Sequence, residues 1–129
     1  AGTQVTGVEE NRQAVRDAET NARLNAISSS RARFLSGRSE DLLRTVGKER
    51  WDGVILDPPR QGCAPAVIEQ VFGAIAPPRA TYVSCNPEAL AGEIPGIIRH
   101  GYRVTSVHAV DMFPHTDHVE AVMTFERVR

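Results

Sequence analysis

Short apolar strands alternate with amphipathic helices along this chain, and no other feature constrains the fold as strongly. We predict strands over residues 5–8, 32–35, 51–56, 81–84, 102–110 and 119–128, and helices over 11–26, 39–46, 65–75 and 87–100. No helix separates the last two strands. Alternating strands and helices favour a parallel sheet, whereas consecutive strands pair antiparallel. The pattern predicts one domain with an open α/β sheet, mostly parallel with a terminal antiparallel strand.

The charge balance limits the partners that the chain can have. Fifteen basic residues oppose sixteen acidic ones, which gives a net charge of −1. This excludes a globally basic nucleic-acid-binding protein, but not a local basic face or a separate binding module. No apolar run reaches the roughly 18 residues of a membrane helix, so we expect no membrane partner. The two cysteines predict free thiols and a cytoplasmic location.

Three of the predicted strands end on side chains that can bind ligands or react. The first ends on Glu9, the third on Asp57 and the fourth on Cys85. Open α/β sheets bind their ligands beyond the carboxyl ends of the strands, so these residues are candidates for a common site. The sequence has no Gly-x-Gly phosphate-binding loop.

Cys85 is a candidate nucleophile. Asn86 is a suitable N-cap and Pro87 a suitable first residue for the helix that follows. A helix N-terminus favours the thiolate form of a nearby cysteine. A buried structural cysteine is the alternative interpretation. Cys63 follows no strand, and we interpret it as structural.

The segment Asp57-Pro-Pro-Arg60 is the second motif. Its two prolines fix the backbone and hold the carboxylate beyond the end of the strand. The motif is similar to the Asp/Asn-Pro-Pro-aromatic loop of amino methyltransferases, with Arg60 in place of the aromatic residue. An ordinary turn after a strand is the alternative.

The third motif is Asp111-Met-Phe-Pro-His-Thr-Asp-His-Val-Glu120. His118 and Glu120 are two residues apart and therefore share one face of the last strand. Glu120 is a candidate general base whose environment His118 would set. A metal site that uses His115 and His118 is less well supported, because no third ligand of known spacing is present. A polar hairpin loop is the structural alternative.

Together, Asp57-Pro-Pro-Arg-Gln-Gly62, Tyr82-Val-Ser-Cys-Asn86 and the third motif resemble the signature set of the RNA 5-methyluridine methyltransferases. The resemblance implies a Rossmann-like, S-adenosylmethionine-dependent fold that methylates C5 of uridine in tRNA or rRNA. It also implies that Cys85 adds to C6 of the uracil and that Glu120 removes the C5 proton.

The resemblance implies further roles. Glu9 would hold the ribose of the cofactor, and Asp57 would contact the cofactor, the uracil or both. Arg60 and His118 would bind the substrate, and no metal is implied. The chain departs from the family at Arg38, where an acidic or amide residue is frequent, so that adenine contact is not carried over. This departure does not affect Cys85 or Glu120.

The family has a strand and a Gly-rich loop before the position of Val5, and its RNA-binding parts lie earlier still. We therefore expect residues 1–129 to be a partial methyltransferase catalytic domain that lacks this first strand and loop. The activity would reside in a full-length parent, and the isolated chain would bind the cofactor weakly or not at all.

The missing strand would leave unpaired backbone groups between the strands that end at Glu9 and Asp57. We expect these strands to pair directly, or a second copy to fill the gap in a homodimer. Two other functions stay open: an amino methyltransferase that uses Asp57-Pro-Pro, and a non-catalytic fragment that contacts RNA or dimerises.

Overall fold

Strands and helices alternate through the computed structural model, which describes residues 2–128, in the order that the sequence predicts. The chain divides into two units, Ala1–Val46 and Gly47–Arg129. Each has its own sheet: one of two strands and one of four.

The first unit is a pair of parallel strands with two helices. Its elements are β1 Val5–Glu9, α1 Arg12–Leu24, β2 Ala32–Ser36 and α2 Ser39–Val46. Asn11 caps α1, and its Oδ1 accepts hydrogen bonds from the N–H groups of Gln13 (2.9 Å) and Ala14 (3.3 Å). Glu9 is the last residue of β1, as predicted, and is exposed.

The second unit is built around a mixed sheet. Its elements are β3 Val54–Leu56, α3 Pro65–Ile68, a π-helical segment Glu69–Ile75, β4 Arg79–Ser84, α4 Pro87–Arg99, β5 Tyr102–Val110 and β6 Glu120–Arg127. The strand order is β3-β4-β6-β5. β3 and β4 are parallel, and β6 runs antiparallel to both β4 and β5. β6 is therefore the antiparallel strand that the sequence predicts, and it lies between β4 and β5.

The core of the second unit lies on one face of this sheet. The alternation predicted for β6 is confirmed, since Ala121, Met123 and Phe125 are buried. The ring of Phe72, from the π-helical segment, meets Phe125 and Tyr102 edge-on at centroid distances of 5.8 and 5.0 Å. Such aromatic pairs add to the free energy that burial itself supplies.

Two elements differ from the sequence predictions. The predicted helix over 65–75 is split, because its second part is π-helical. β3 begins at Val54 rather than at Trp51, and we expected it to be covered on both faces. That expectation is wrong: Ile55 is 77% exposed, and β3 lies at the edge of its sheet, where only β4 pairs with it.

The expectation of direct pairing between the strands that end at Glu9 and Asp57 is also wrong. Within residues 2–128, β1 is hydrogen-bonded to β2 and β3 to β4, in two separate sheets. The homodimer stays a prediction. No helix in the described part of the chain has the length and apolar character needed to cross a membrane.

Candidate active site

The register of β4 and β6 decides the geometry of the candidate site. Ser84, the last residue of β4, pairs with Ala121 in the antiparallel ladder. One step further along each strand stand Cys85 and Glu120. The antiparallel ladder ends with the pair of Ser84 and Ala121, so Cys85 and Glu120 each lie one residue from this last pair. The candidate nucleophile and the candidate base therefore stand at the same end of β4 and β6.

Ser84 fixes the turn that presents Cys85. Its buried hydroxyl donates a hydrogen bond to the carbonyl of Asn86 (2.9 Å) and accepts one from the N–H of the same residue (3.1 Å). Both bonds span Cys85, so the backbone on either side of the half-buried thiol is held in place.

Asn86 links this turn to the Asp57–Arg60 loop. Its Oδ1 accepts a hydrogen bond from the N–H of Ala89 (3.3 Å) and so caps α4, as predicted. Its Nδ2 donates to the carbonyl of Arg60 (3.0 Å). The residue next to Cys85 therefore also holds the neighbouring loop.

Arg60, in the loop after β3, and His118, in the loop before β6, meet at this end of the strands. The Nη2 of Arg60 lies 3.4 Å from the Nδ1 of His118, and both side chains are exposed. The ring of Phe113 meets His118 edge-on at 6.5 Å. Asp57 follows the last residue of β3, directly before the two prolines, and is exposed. Arg60 and Asp57 belong to the loop that Asn86, the residue after Cys85, holds through the Arg60 carbonyl.

The loop between β5 and β6 is shaped by its own hydrogen bonds. The hydroxyl of Thr116 donates to the carbonyl of Phe113 (2.7 Å) and accepts from the N–H of His118 (3.2 Å). His115 has a positive φ of 65° and is exposed. Among the residues that the structure describes, no group of three or more His, Cys, Asp and Glu side chains could hold a metal ion.

Cys63 differs from Cys85 in its surroundings. Burial raises the pKa of its thiol from 9.0 to about 11; the charge of Glu93 adds to the rise, and a hydrogen bond with Tyr82 opposes it. The thiol is therefore protonated at neutral pH, which agrees with a structural role.

Glu93 is a residue that sequence reasoning missed. It stands on α4 between Leu90 and Ile97, which are both buried. Because these residues are spaced by three and four positions, all three lie on one face of the helix. A carboxylate on an otherwise apolar helix face is the sequence pattern that could have identified Glu93.

The structure brings five predicted site residues to the same edge of the four-stranded sheet: Asp57, Arg60, Cys85, His118 and Glu120. Glu9 belongs to the other unit. There its carboxylate accepts a hydrogen bond from the N–H of Asn11 (2.7 Å) just beyond the end of β1.

The sequence matches the family described as tRNA (uracil-5-)-methyltransferase over residues 7–128. The chain belongs to this family. An uncharacterized RNA methyltransferase of Gloeobacter violaceus is 43% identical over 127 residues, which cover 98% of this chain and 26% of that protein. The 23S rRNA (uracil(1939)-C(5))-methyltransferase RlmD of Vibrio vulnificus is 40% identical over 124 residues. These residues are 95% of this chain and 28% of that protein.

Solved structures show the same fold. A precorrin-6y C5,15-methyltransferase from Geobacter metallireducens superposes with a TM-score of 0.76 at 14% identity, over 97% of this chain and 67% of that one. The predicted Rossmann-like fold of S-adenosylmethionine-dependent methyltransferases is therefore confirmed. The chain spans about a quarter of the length of the curated relatives that it matches.

Proposed function

We propose that this chain carries the catalytic residues of an enzyme that methylates C5 of uridine in tRNA or rRNA. The observation that carries the proposal is the β4–β6 register, which ends at Ser84 and Ala121 and so places Cys85 and Glu120 each one residue from the last pair. Membership of the uracil-5-methyltransferase family supports it.

The chemistry needs both side chains. The thiolate of Cys85 adds to C6 of the uracil, and the electron pair of the C5=C6 bond moves to give an enolate, so that C5 becomes nucleophilic. Bound S-adenosylmethionine would supply an electrophilic methyl group, whose bond to the sulfonium sulfur would break as C5 forms the new bond. Glu120 then takes the proton from C5. The C5=C6 bond re-forms as the bond from C6 to sulfur breaks, which regenerates Cys85.

Two residues would hold the cofactor. Glu9 ends β1 with an exposed carboxylate that accepts one hydrogen bond from the Asn11 N–H. A carboxylate offers further lone pairs, which suit the hydroxyls of a ribose. Asp57 is exposed beyond β3 and would contact the cofactor, the uracil or both. Each carboxylate, in its own unit, is an acceptor that suits the hydroxyl or amino groups of the cofactor.

Arg60 and His118 would bind the RNA substrate next to the reacting base. A guanidinium suits phosphate, and both planar groups suit stacking on a base. With a net charge of −1, this chain has no general attraction for RNA. We infer that most of the RNA affinity, and the activity itself, reside in a full-length parent.

RNA that contains 5-fluorouridine tests this function. Fluorine cannot leave C5 as a proton does, so the covalent bond to the nucleophile persists. We expect the full-length parent to form an adduct with such RNA in the presence of cofactor, and Cys63→Ala to form it as well. Cys85→Ala should form none.

Other outcomes separate the alternatives. Methyl transfer that survives Cys85→Ala would contradict the proposal and favour an amino methyltransferase that uses Asp57-Pro-Pro. A gel shift with RNA, but no methyl transfer at full length, would favour a non-catalytic RNA-contacting or dimerising role.

A further inference from the structure

A carboxylate on α4 reaches back to the loop that carries Asp57 and Arg60. The Oε1 of Glu93 accepts a hydrogen bond from the backbone N–H of Cys63 (2.8 Å), and its Oε2 accepts one from the hydroxyl of Tyr82 (2.7 Å). Hydrogen bonds to a charged acceptor are stronger than those between neutral groups. One side chain therefore ties the loop to both α4 and β4.

The loop backbone packs directly onto this carboxylate. Gly62 is buried and has a φ of +85°, which side chains rarely adopt. A Cβ at this position would collide with Oε1 of Glu93. Glycine at 62 is thus required both by the backbone conformation and by the close approach of Glu93.

The same loop is held at a second point by the N-cap of α4. Asn86 donates to the carbonyl of Arg60, and Glu93 accepts from the N–H of Cys63 three residues later. Asn86 directly follows Cys85, and Glu93 stands two turns along the helix that begins there. A displacement of the loop relative to Cys85 would have to break both contacts.

We propose that Glu93 is a positioning residue for methyl transfer, which holds the loop of Asp57 and Arg60 in register with Cys85. The inference rests on the proposed function, because it takes Asp57, Arg60 and Cys85 as parts of one site. Glu93 acts through the loop and does not touch the uracil. A shift of about 1 Å in such a group costs up to about a hundredfold in rate.

The test compares variants of the full-length parent in single-turnover methyl transfer at saturating RNA and cofactor. We expect Glu93→Ala to lower the rate constant by about tenfold to a hundredfold. Glu93→Gln should restore it to within a few-fold. Its amide oxygen can still accept from Cys63, while its NH₂ donates to the Tyr82 hydroxyl.

Glu88→Ala is the matched control, since Glu88 is an exposed carboxylate in the first turn of the same helix. It should keep the wild-type rate. A wild-type rate for Glu93→Ala would overturn the inference, and so would an equal loss in Glu93→Gln. If Glu93→Ala does not fold, Tyr82→Phe decides, because it releases one oxygen of the carboxylate. A several-fold loss then supports the inference, and a wild-type rate overturns it.

Cys85→Ala is assayed alongside these variants to separate the two proposals. Methyl transfer that persists without Cys85 contradicts the proposed function itself. Loss of activity in Cys85→Ala, together with a wild-type rate in Glu93→Ala, contradicts the positioning role alone.

Discussion

Gly62 leaves no room for a side chain, and this makes it a sensitive position in the loop beside Cys85. Its φ of +85° is unfavourable for alanine, and the added Cβ would collide with Glu93. We expect Gly62→Ala to lower the free energy of unfolding by about 2 kcal/mol or more in urea titrations.

Gly92→Ala is the matched control for this substitution. Gly92 is an exposed position within α4, where a Cβ would meet no other atom within 4 Å. Alanine there should raise the free energy of unfolding by about 0.5–1 kcal/mol, because it loses less backbone entropy on folding. Equal stability of the two variants would contradict the close packing of Gly62 on Glu93.

Burial of Cys63 makes the free energy of unfolding depend on pH in the alkaline range. Burial raises its pKa from 9.0 to about 11, so the folded chain keeps the proton that the unfolded chain loses above pH 9. This contribution to stability is fully present below pH 9 and is lost as the pH rises toward 11. Burial raises the pKa of Tyr82 as well and acts in the same direction.

The measurement is a series of urea titrations between pH 8 and 11. The wild-type free energy of unfolding should fall through this range, and Cys63→Ala should show a shallower fall. Parallel curves for the two proteins would show that the thiol is not buried as described.

At the scale of the element, Asn86 serves α4 and the loop with different atoms. Its Oδ1 caps the helix and its Nδ2 binds the carbonyl of Arg60. Asn86→Ala should lower the free energy of unfolding by about 1 kcal/mol through loss of the cap. Asn86→Asp keeps an oxygen for the cap but loses the donor to the Arg60 carbonyl, so it should recover part of that loss. Thermal melting of both variants checks this, and equal destabilisation would argue against capping by Oδ1.

The elements differ in how closely the sequence predicts them. The period-2 pattern of β6 already separates buried Ala121, Met123 and Phe125 from the other face, and pairing on both sides fixes its register. α4 continues to Arg99 although Pro95 lies within it. Proline removes the hydrogen bond to the carbonyl of Ala91, which is exposed and can bind water instead.

The candidate site was predictable where chemistry follows a strand end, and unpredictable where it depends on packing. Cys85 and Asp57 could be proposed as site residues because folds of this class place strand ends at the ligand site. The contact of Glu93 with Cys63 could not, since it depends on how α4 lies against a loop 30 residues earlier. Such long-range contacts leave no local pattern in a sequence.

At the scale of the whole molecule, the chain belongs to a family whose curated members are about four times its length. Its four-stranded unit holds the pair Cys85 and Glu120, and its two-stranded unit holds Glu9. Under the proposed function, the net charge of −1 agrees with a division in which these residues perform the chemistry and other parts of a longer protein bind the RNA.

The most direct test of the central claim, that Cys85 and Glu120 act on one uracil, is Glu120→Gln in the full-length parent with ordinary uridine RNA. Without the base, the C5 proton stays in place and the C6–sulfur bond cannot break by elimination. Mass spectrometry of the digested protein should find a methylated uridine joined to Cys85. Wild-type turnover by Glu120→Gln, or an adduct on another residue, would contradict the account.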